Sequence, residues 1–497
     1  MSSFVEQPAD ILARLASLRE ADAPTHGGHV LSYVYDSGLA ELDELAAAAI
    51  RMVQPVNGLD PTTFTSVAVM EREVIGFARS MLHGDADVVG TVTTGGTESC
   101  LLAVKTARDS WRAVHPSGTP RLLAPVTVHA AFQKAAHYFG LELDLVPVDQ
   151  DGTLSASRLI ERLGDDVALV VVSAPSYPFA GLDPIEEVAA ACLASGVECH
   201  VDACIGGWVL PFWSELAPWD FRLPGVASVS ADLHKFGYAP KGASVLLQRG
   251  RDRQRAQYFA TTRWPGYPVV NPTMLGSKSA GALAAAWAII HALGTQGFAA
   301  LAESCERSTA SLVELVETIR GLRVVGNPVG PLLAVATDDS VPAADRVDPH
   351  HWADQARSHG WLLQLQPGMV QSDGTHLPHT THLTVTPVTE GVLGDLSAAL
   401  VRAADEVRGV PPVTASDVLS ALPPEIVAGL SSPDAAQLTS ESAYGLLVQI
   451  GLITPGDDSA QLPERMAPFI ALIEALPAPL TVRLLTELLA RLVEPVS

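Results

Sequence analysis

Three short stretches carry residue types that could do chemistry together. In residues 228–238 (SVSADLHKFGY), Lys235 follows an apolar run and stands beside His234 and aromatic side chains, in a chain with only five lysines. Partial burial would lower its pKa and leave a nucleophilic amine able to form an imine. Read alone, the stretch fits a surface lysine in a loop better. In residues 199–204 (CHVDAC), the alternation of a strand puts His200, Asp202 and Cys204 on one face. A carboxylate at the C-terminal end of such a strand lies where open α/β sheets bind ligands, and its charge could keep a ring nitrogen protonated. The alternatives are a cap for the next helix or a zinc ligand. No fourth ligand sits at a finger-like spacing, so no metal is expected. In residues 94–99 (TGGTES), two glycines precede a helical stretch. They allow close backbone approach, and free N–H groups with the Thr97 and Ser99 hydroxyls suit an anion such as phosphate. A plain helix cap has the same composition.

The elements around these stretches alternate. Apolar runs of strand length occupy residues 121–128, 143–148, 167–173, 197–201, 228–231 and 243–248, with helical stretches at 98–114, 130–139 and 184–195 between them. Near-continuous apolar strands alternating with helices predict a mainly parallel sheet covered on both faces. Residues 1–70 read as helices and loops, 71–320 as the large ligand-binding domain, 321–410 as a smaller α+β domain and 411–497 as a helical extension. In the last helix, Leu484, Leu485, Leu488, Leu489 and Leu492 share one face, which fits docking on its own subunit or an oligomer contact.

The net charge of −24 disfavours nucleic acid as a partner. Five cysteines without a CxxC pair point to a reducing compartment rather than a disulfide framework. The first twenty residues read as an amphipathic helix without a basic region and long apolar core, and no uninterrupted apolar run reaches about 18 residues. The expectation is a soluble cytoplasmic protein without a membrane span.

Taken together, a phosphate cradle, a carboxylate for a ring nitrogen and a Schiff-base lysine are the equipment of a pyridoxal-phosphate enzyme. The sequence resembles the group II decarboxylase branch of the fold type I pyridoxal-phosphate enzymes, and within it the sphingosine-1-phosphate lyases. The resemblance is dense in residues 90–103 (GTVTTGGTESCLLA), 129–140 (HAAFQKAAHYFG), 200–207 (HVDACIGG), 228–244 (SVSADLHKFGYAPKGAS) and 267–276 (YPVVNPTMLG), and spans roughly residues 27–400. It implies pyridoxal 5'-phosphate as cofactor and an aspartate aminotransferase-like α/β fold. It implies Lys235 as the lysine that carries the cofactor, Asp202 on the pyridine nitrogen and His129 on the ring face. Gly95, Gly96, Thr97 and His234 would hold the phosphate, with Gly276 and Ser277 reaching it from a partner subunit of a homodimer. Lys241 matches a second lysine near the substrate, and Tyr35 one of a pair of tyrosines.

Two departures bear on the substrate. Residues 57–61 (NGLDP) place Asp60 where these lyases have a phosphate-reading histidine, and Asp36 replaces the second tyrosine. Unit charges about 4 Å apart interact by roughly 4 kcal/mol at an effective dielectric near 20, so two carboxylates would repel a substrate phosphate. The reading is a lyase that forms an imine with an amine or amino acid and cleaves a bond at Cα, by retro-aldol cleavage to an aldehyde. An amino-acid decarboxylase is the alternative. It would need a cation for the substrate carboxylate, with Lys241, Arg263 and Lys278 as candidates. His376, His379 and His382 read as an ordinary loop leading into a strand, with His382 able to approach the site from the small domain.

Overall fold

The computed structural model describes residues 4–420, 438–450, 452–453 and 464–495. Helix α1 (Pro8–Arg19) buries none of its residues, and α2 (Ala40–Val53) and α3 (Thr65–Met81) lead into the large sheet. Its strands are β1 (Val88–Thr93), β2 (Arg121–Pro125), β3 (Glu142–Val146), β4 (Val167–Ser173), β5 (Glu198–Asp202), β6 (Val226–Ala231) and β7 (Ser244–Arg249). They lie in the order β1-β7-β6-β5-β4-β2-β3. Pairings from β6 through β5, β4 and β2 to β3 are parallel, whereas β7 runs antiparallel to both β1 and β6. The reversed β7 returns from β6 through residues 232–243, which hold no helix to make a parallel crossover. Strand β1 lacks a purely apolar run, and sequence periodicity alone does not find it.

The fully buried strands explain their own composition. In β4 every residue is buried. Leu169 and Val171 face a core shared with α4 (Gly96–Val114) and α5 (Ala130–Phe139), while Val170 and Val172 face the opposite core. Each such side chain contributes about 1.5–3 kcal/mol relative to exposure. Between strands lie α6 (Ala156–Ile160), α7 (Ile185–Ser195) and α8 (Arg251–Gln257), then the hairpin β8 (Phe259–Thr261) and β9 (Val269–Asn271). Helix α9 (Gly281–Thr318) is long and apolar enough by length and composition to cross a membrane. Here it packs on α2 and α3 and buries residues such as Leu283, Ile289 and Phe298 in the main core. Gly294 breaks it at φ +53°.

A second sheet has the order β10-β11-β15-β12 and is antiparallel: β10 (Leu322–Val324), β11 (Leu332–Thr337), β12 (Gln364–Gln366) and β15 (Thr380–Thr384), with the hairpin β13 (Met369–Val370) and β14 (His376–Leu377) beside it. Helices α10 (Pro349–Ser358) and α11 (Thr389–Val407) close its own core around Trp352 and Leu400. The N-terminal segment is tied to this sheet. Leu31 N–H donates to Leu362 O at 2.9 Å, and Thr384 N–H donates to Leu31 O at 2.7 Å. That seam carries residues 33–36 to the boundary between the two sheets.

After α12 (Ala415–Ser420) the described residues form α13 (Ser440–Gln449), α14 (Ala467–Ala475) and α15 (Ala478–Leu492). The remainder of the extension lies outside the described residues. Asp354 of α10 caps α14 by accepting from Met466 N–H and Ala467 N–H at 2.8 and 2.9 Å. The leucine face expected in the last helix is split. Leu484 and Leu488 are buried against Leu447, whereas Leu485, Leu489 and Leu492 are exposed.

The chain after β5 must pass close to β6. A Cβ on Gly207 would lie 2.4 Å from the Ala231 Cβ. Gly207→Ala is therefore expected to destabilise the protein by about 1–3 kcal/mol through overpacking. Urea unfolding measures this, and an unchanged midpoint would contradict the packing account.

Candidate active site

The C-terminal ends of β1, β2, β4, β5 and β6 open on one edge of the large sheet. Each delivers one chemical group there, because every loop leaving a parallel strand emerges on the same side. A cavity of about 780 Å³ lies at this edge. Its lining includes Gly95, Gly96 and Thr97 after β1, His129 after β2, Ser173 of β4, Asp202 of β5, and Asp232, His234 and Lys235 after β6. Tyr35 and Lys241 line it as well. Three of the five lysines of this acidic chain, Lys134, Lys235 and Lys241, share the cavity wall.

Asp202 forms the floor. Its Oδ1 accepts from Cys204 N–H at 3.1 Å and from Ser230 Oγ at 3.3 Å. Ser230 has one proton to give, so His200 Nε2, 3.1 Å away, is the donor to Ser230 Oγ. His200 Nδ1 then accepts from Ser228 Oγ at 2.8 Å. This tautomer is neutral, in line with burial pushing His200 down to about 4. Burial works against the charged form of Asp202, but His129, the Cys204 hydrogen bonds and Lys235 outweigh it and hold the carboxyl below its ordinary range. A buried, ionised carboxylate therefore faces the cavity.

Lys235 Nζ lies 3.0 Å from Asp232 Oδ2. Burial alone would lower its pKa, but Asp232, with Tyr35, Cys204 and Asp202, pushes it well above the ordinary lysine value. This corrects the expectation of a lysine made neutral by burial: in this chain the amine is an ammonium. The other Asp232 oxygen, Oδ1, is buried without a hydrogen-bond partner.

The glycine cradle opens α4. Gly95 has φ +148°, a conformation that side chains rarely adopt. A Cβ on Gly96 would lie 2.5 Å from Asp232 Oδ2, so glycine is required where the cradle backs on the lysine's counter-ion. Glu98 fixes the loop. Its Oε2 accepts from Thr94 N–H at 2.6 Å, and its Oε1 accepts from Met274 N–H at 2.6 Å. The N–H groups of Gly96 and Thr97 sit in the first turn, where no helical acceptor exists, at the positive end of the helix dipole. Ser99 departs from expectation. Its hydroxyl is buried and bonded to Thr93 Oγ1 at 2.7 Å and Ser244 Oγ at 2.9 Å, behind the cradle rather than in it.

His129 caps α5, its Nδ1 accepting from Ala131 N–H at 3.2 Å. Lys241 Nζ donates to the His234 carbonyl at 3.1 Å and lies 4.5 Å from the Tyr35 ring centroid. Burial, then the charge of Lys235, pushes Lys241 down to about 8, while burial pushes Tyr35 up to about 12.

Other expected residues fall elsewhere. Asp36 does not line this cavity: its buried carboxylate accepts from Gly27 N–H at 2.9 Å and Gly38 N–H at 2.8 Å, holding a turn. Asp60, Gly276 and Ser277 line a separate cavity of about 1380 Å³ together with Lys278. Asp60 there bonds Thr62 and Thr63, which hold it down at about 2. Neither Asp36 nor Asp60 thus lines the main cavity, whose wall carries Lys134, Lys235 and Lys241 together with Glu98, Asp202 and Asp232. The three histidines do not converge. His376 lies in the β14 hairpin, His379 Nε2 pairs with Asp348 at 2.8 Å, and buried His382 stacks on Tyr177 at 4.2 Å behind the cavity. Sequence reading missed Asp232 as the lysine's partner, and Tyr33 and Tyr177 on the wall. The spacing Asp232-x-x-Lys235 was the available signal for the first.

Seven strands in this order, with a lysine after β6, a carboxylate ending β5 and a glycine-opened helix after β1, define a fold type I pyridoxal-phosphate enzyme. Residues 64–334 match the pyridoxal-dependent decarboxylase conserved domain, and residues 417–491 match a C-terminal putative HTH domain of pyridoxal-dependent enzymes. The chain belongs to the pyridoxal-dependent decarboxylase family. It is 34% identical to a sphingosine-1-phosphate lyase of Dictyostelium discoideum over 69% of its own length and 66% of that protein's. It is 30% identical to a sphingosine-1-phosphate lyase of Saccharomyces cerevisiae over 91% of its length and 75% of that protein's. The chain spans 59% of the length of the corresponding Rattus norvegicus protein. The solved sphingosine-1-phosphate lyase of Burkholderia pseudomallei superposes with a TM-score of 0.75 at 32% identity, covering 82% of this chain and 93% of that one. A glutamate decarboxylase of Lactobacillus brevis superposes at 0.71 with 18% identity, covering 83% and 96%, which shows the shared fold. The extension, for which the sequence reading offers no parallel, thus has one within the pyridoxal-dependent enzymes.

Beneath the floor, Asp183 Oδ2 accepts from Ser173 N–H at 2.7 Å. Burial, with Asp202 nearby, pushes Asp183 up to about 7. The folded value lies above the unfolded one of about 3.9, so its contribution is full below about pH 4 and is lost as pH rises through about 7. The Tm of Asp183→Asn should therefore gain on that of wild type between about pH 4 and pH 7. A difference that stays constant across that window would contradict the assignment.

Proposed function

We propose that this chain is a pyridoxal-phosphate-dependent carbon–carbon lyase that cleaves a β-hydroxy amine between Cα and Cβ and releases an aldehyde. The observation that carries the reading is the convergence of Lys235, Asp202 and the Gly95–Gly96 cradle on one cavity. Its support is that relatives sharing 30–34% identity are named sphingosine-1-phosphate lyases. The unpaired Asp232 Oδ1, the helix start without a Cβ and the ionised Asp202 fit the cofactor. Lys235 would carry it as a Schiff base, Asp202 would hold its ring nitrogen protonated, and His129 would cover the ring. Gly95, Gly96, Thr97 and His234 would hold its phosphate. When bound, the cofactor supplies an electron sink for the bond broken at Cα.

The chain's own residues divide the remaining work. Lys241 Nζ, pushed down to about 8, takes the β-hydroxyl proton in its neutral form, the fraction of which grows as pH rises toward about 8. Tyr35 keeps its proton and acts as a donor. Lys134 and Lys241 put cations on a wall that also carries Glu98, Asp202 and Asp232, and Tyr33, Tyr35, Tyr138 and Tyr177 make it broad and largely apolar. A phosphorylated long-chain amino alcohol suits that wall. We place the active form as a homodimer in which Ser277, Gly276 and Asp60 of the second cavity face the other subunit. The five free, buried cysteines favour a reducing, cytoplasmic setting. For decarboxylation, of the candidate cations only Lys241 lines the main cavity, so a carboxylate clamp is less well supplied.

Purified protein with added pyridoxal phosphate should show a visible band near about 400–430 nm that Lys235→Ala lacks. With phosphorylated and unphosphorylated sphingoid bases and a panel of amino acids, the expected product is an aldehyde from the phosphorylated base. Carbon dioxide and an amine as sole products would replace the lyase reading with the decarboxylase. Lys241→Ala should keep the visible band yet lower kcat by about 10²–10⁴. It should also remove the rise in rate as pH approaches about 8. An unaltered pH profile would exclude Lys241 as the base.

A further inference from the structure

Beside Asp202 the structure holds donors that the proposed reaction does not use. Cys100 sits in the second turn of α4 and Cys204 in the turn after β5. One ligand atom from each, with a carboxylate oxygen of Asp202, lies within 4.8 Å of the other two. Among the described residues this is the group of three or more such side chains close enough to hold an ion. Both thiols line the main cavity, so an ion can reach them from solvent. Cys192 and Cys199, by contrast, are fully buried in the main core, away from that cavity. His200 is not part of the set, because both ring nitrogens are engaged by Ser228 and Ser230.

We infer that the cofactor-free chain binds a thiophilic divalent cation, Zn²⁺ or Cd²⁺, on Cys100, Cys204 and Asp202, and that this ion and pyridoxal phosphate exclude each other. The exclusion rests on the reading of Asp202 as the partner of the cofactor ring given above. Tetrahedral zinc with bonds of about 2.3 Å to sulfur and about 2.0–2.2 Å to oxygen places its ligand atoms roughly 3.5–3.8 Å apart. Side-chain movements of about 1 Å close the triad to that spacing. Thiolate donors select Zn²⁺ and Cd²⁺ over Mg²⁺ and Ca²⁺. Binding forms two metal–sulfur bonds and one metal–oxygen bond, and the two thiol protons leave to solvent. Water completes the fourth position. The outer partners are already in place, since Ser230 Oγ and Cys204 N–H orient the Asp202 carboxylate. The cofactor would need the same carboxylate for its ring nitrogen, so the two occupants compete for one group.

The test uses the reduced full-length chain stripped of cofactor and titrated with Cd²⁺, followed by the ultraviolet thiolate-to-cadmium charge-transfer band. Wild type should saturate at one ion per chain. Cys100→Ser and Cys204→Ser should each weaken binding at least tenfold, with Cys100→Ala as the variant that avoids a buried hydroxyl. Circular dichroism checks that each folds, and Cys192→Ala should keep the band. Pyridoxal phosphate loaded first should abolish the cadmium band, and a chelator should restore cofactor uptake to the cadmium-loaded chain. No charge-transfer band in wild type, or a band unchanged in all the Cys100 and Cys204 variants, overturns the site. A cadmium band indifferent to bound cofactor overturns the exclusion. If the metal-free chain takes up no pyridoxal phosphate, the cofactor reading fails and the exclusion with it, while the cadmium titration still decides the site.

Discussion

A carboxylate buried at the end of a central strand, and kept ionised there, is the constraint around which this molecule is arranged. Asp202 has almost no solvent to stabilise its charge, so the protein supplies the stabilisation through Cys204 N–H, Ser230 and the positive groups opposite. Each supporter has its own requirement. Ser230 must be neutral and oriented, which fixes the tautomer of His200. Cys204 must turn sharply after β5, and Gly207 lets that turn lie against Ala231. Asp183, one layer below, avoids a second buried charge by holding its proton up to about 7.

The lysine is governed by a second carboxylate. Asp232 overrides the desolvation of Lys235 and stores it as an ammonium. Gly96 then has to be glycine because the start of α4 backs on that same carboxylate. Two buried acids thus line the cavity, Asp202 at the end of β5 and Asp232 beside the Lys235 amine. Three of the chain's five lysines, Lys134, Lys235 and Lys241, share the cavity wall with Glu98, Asp202 and Asp232, in a chain that as a whole carries −24.

Much of this was legible in the sequence because strands and glycine turns report themselves locally. The all-buried β4 and β6 read as apolar runs, and HVDA and DLHK mark strand ends by composition. What remained hidden depends on pairing between distant residues. The reversal of β7, the weakly apolar β1 and the carriage of Tyr33 and Tyr35 along Leu362 are tertiary events without a local signature. The charge state of Lys235 was misjudged for the same reason. Burial was visible in its neighbours, but the compensating distance to Asp232 was not. Asp36 and Asp60 lie off the main cavity of their own chain and bond their own loops, a role composition does not separate from ligand binding.

The account stands or falls on which lysine of the three in the cavity meets the cofactor. The most direct measurement is borohydride reduction of the protein loaded with pyridoxal phosphate, followed by peptide mass analysis. The account predicts a phosphopyridoxyl group on the peptide containing Lys235, at one per chain, and none on the peptides containing Lys134 or Lys241. A label centred on either of those lysines, or no label at all, would contradict it.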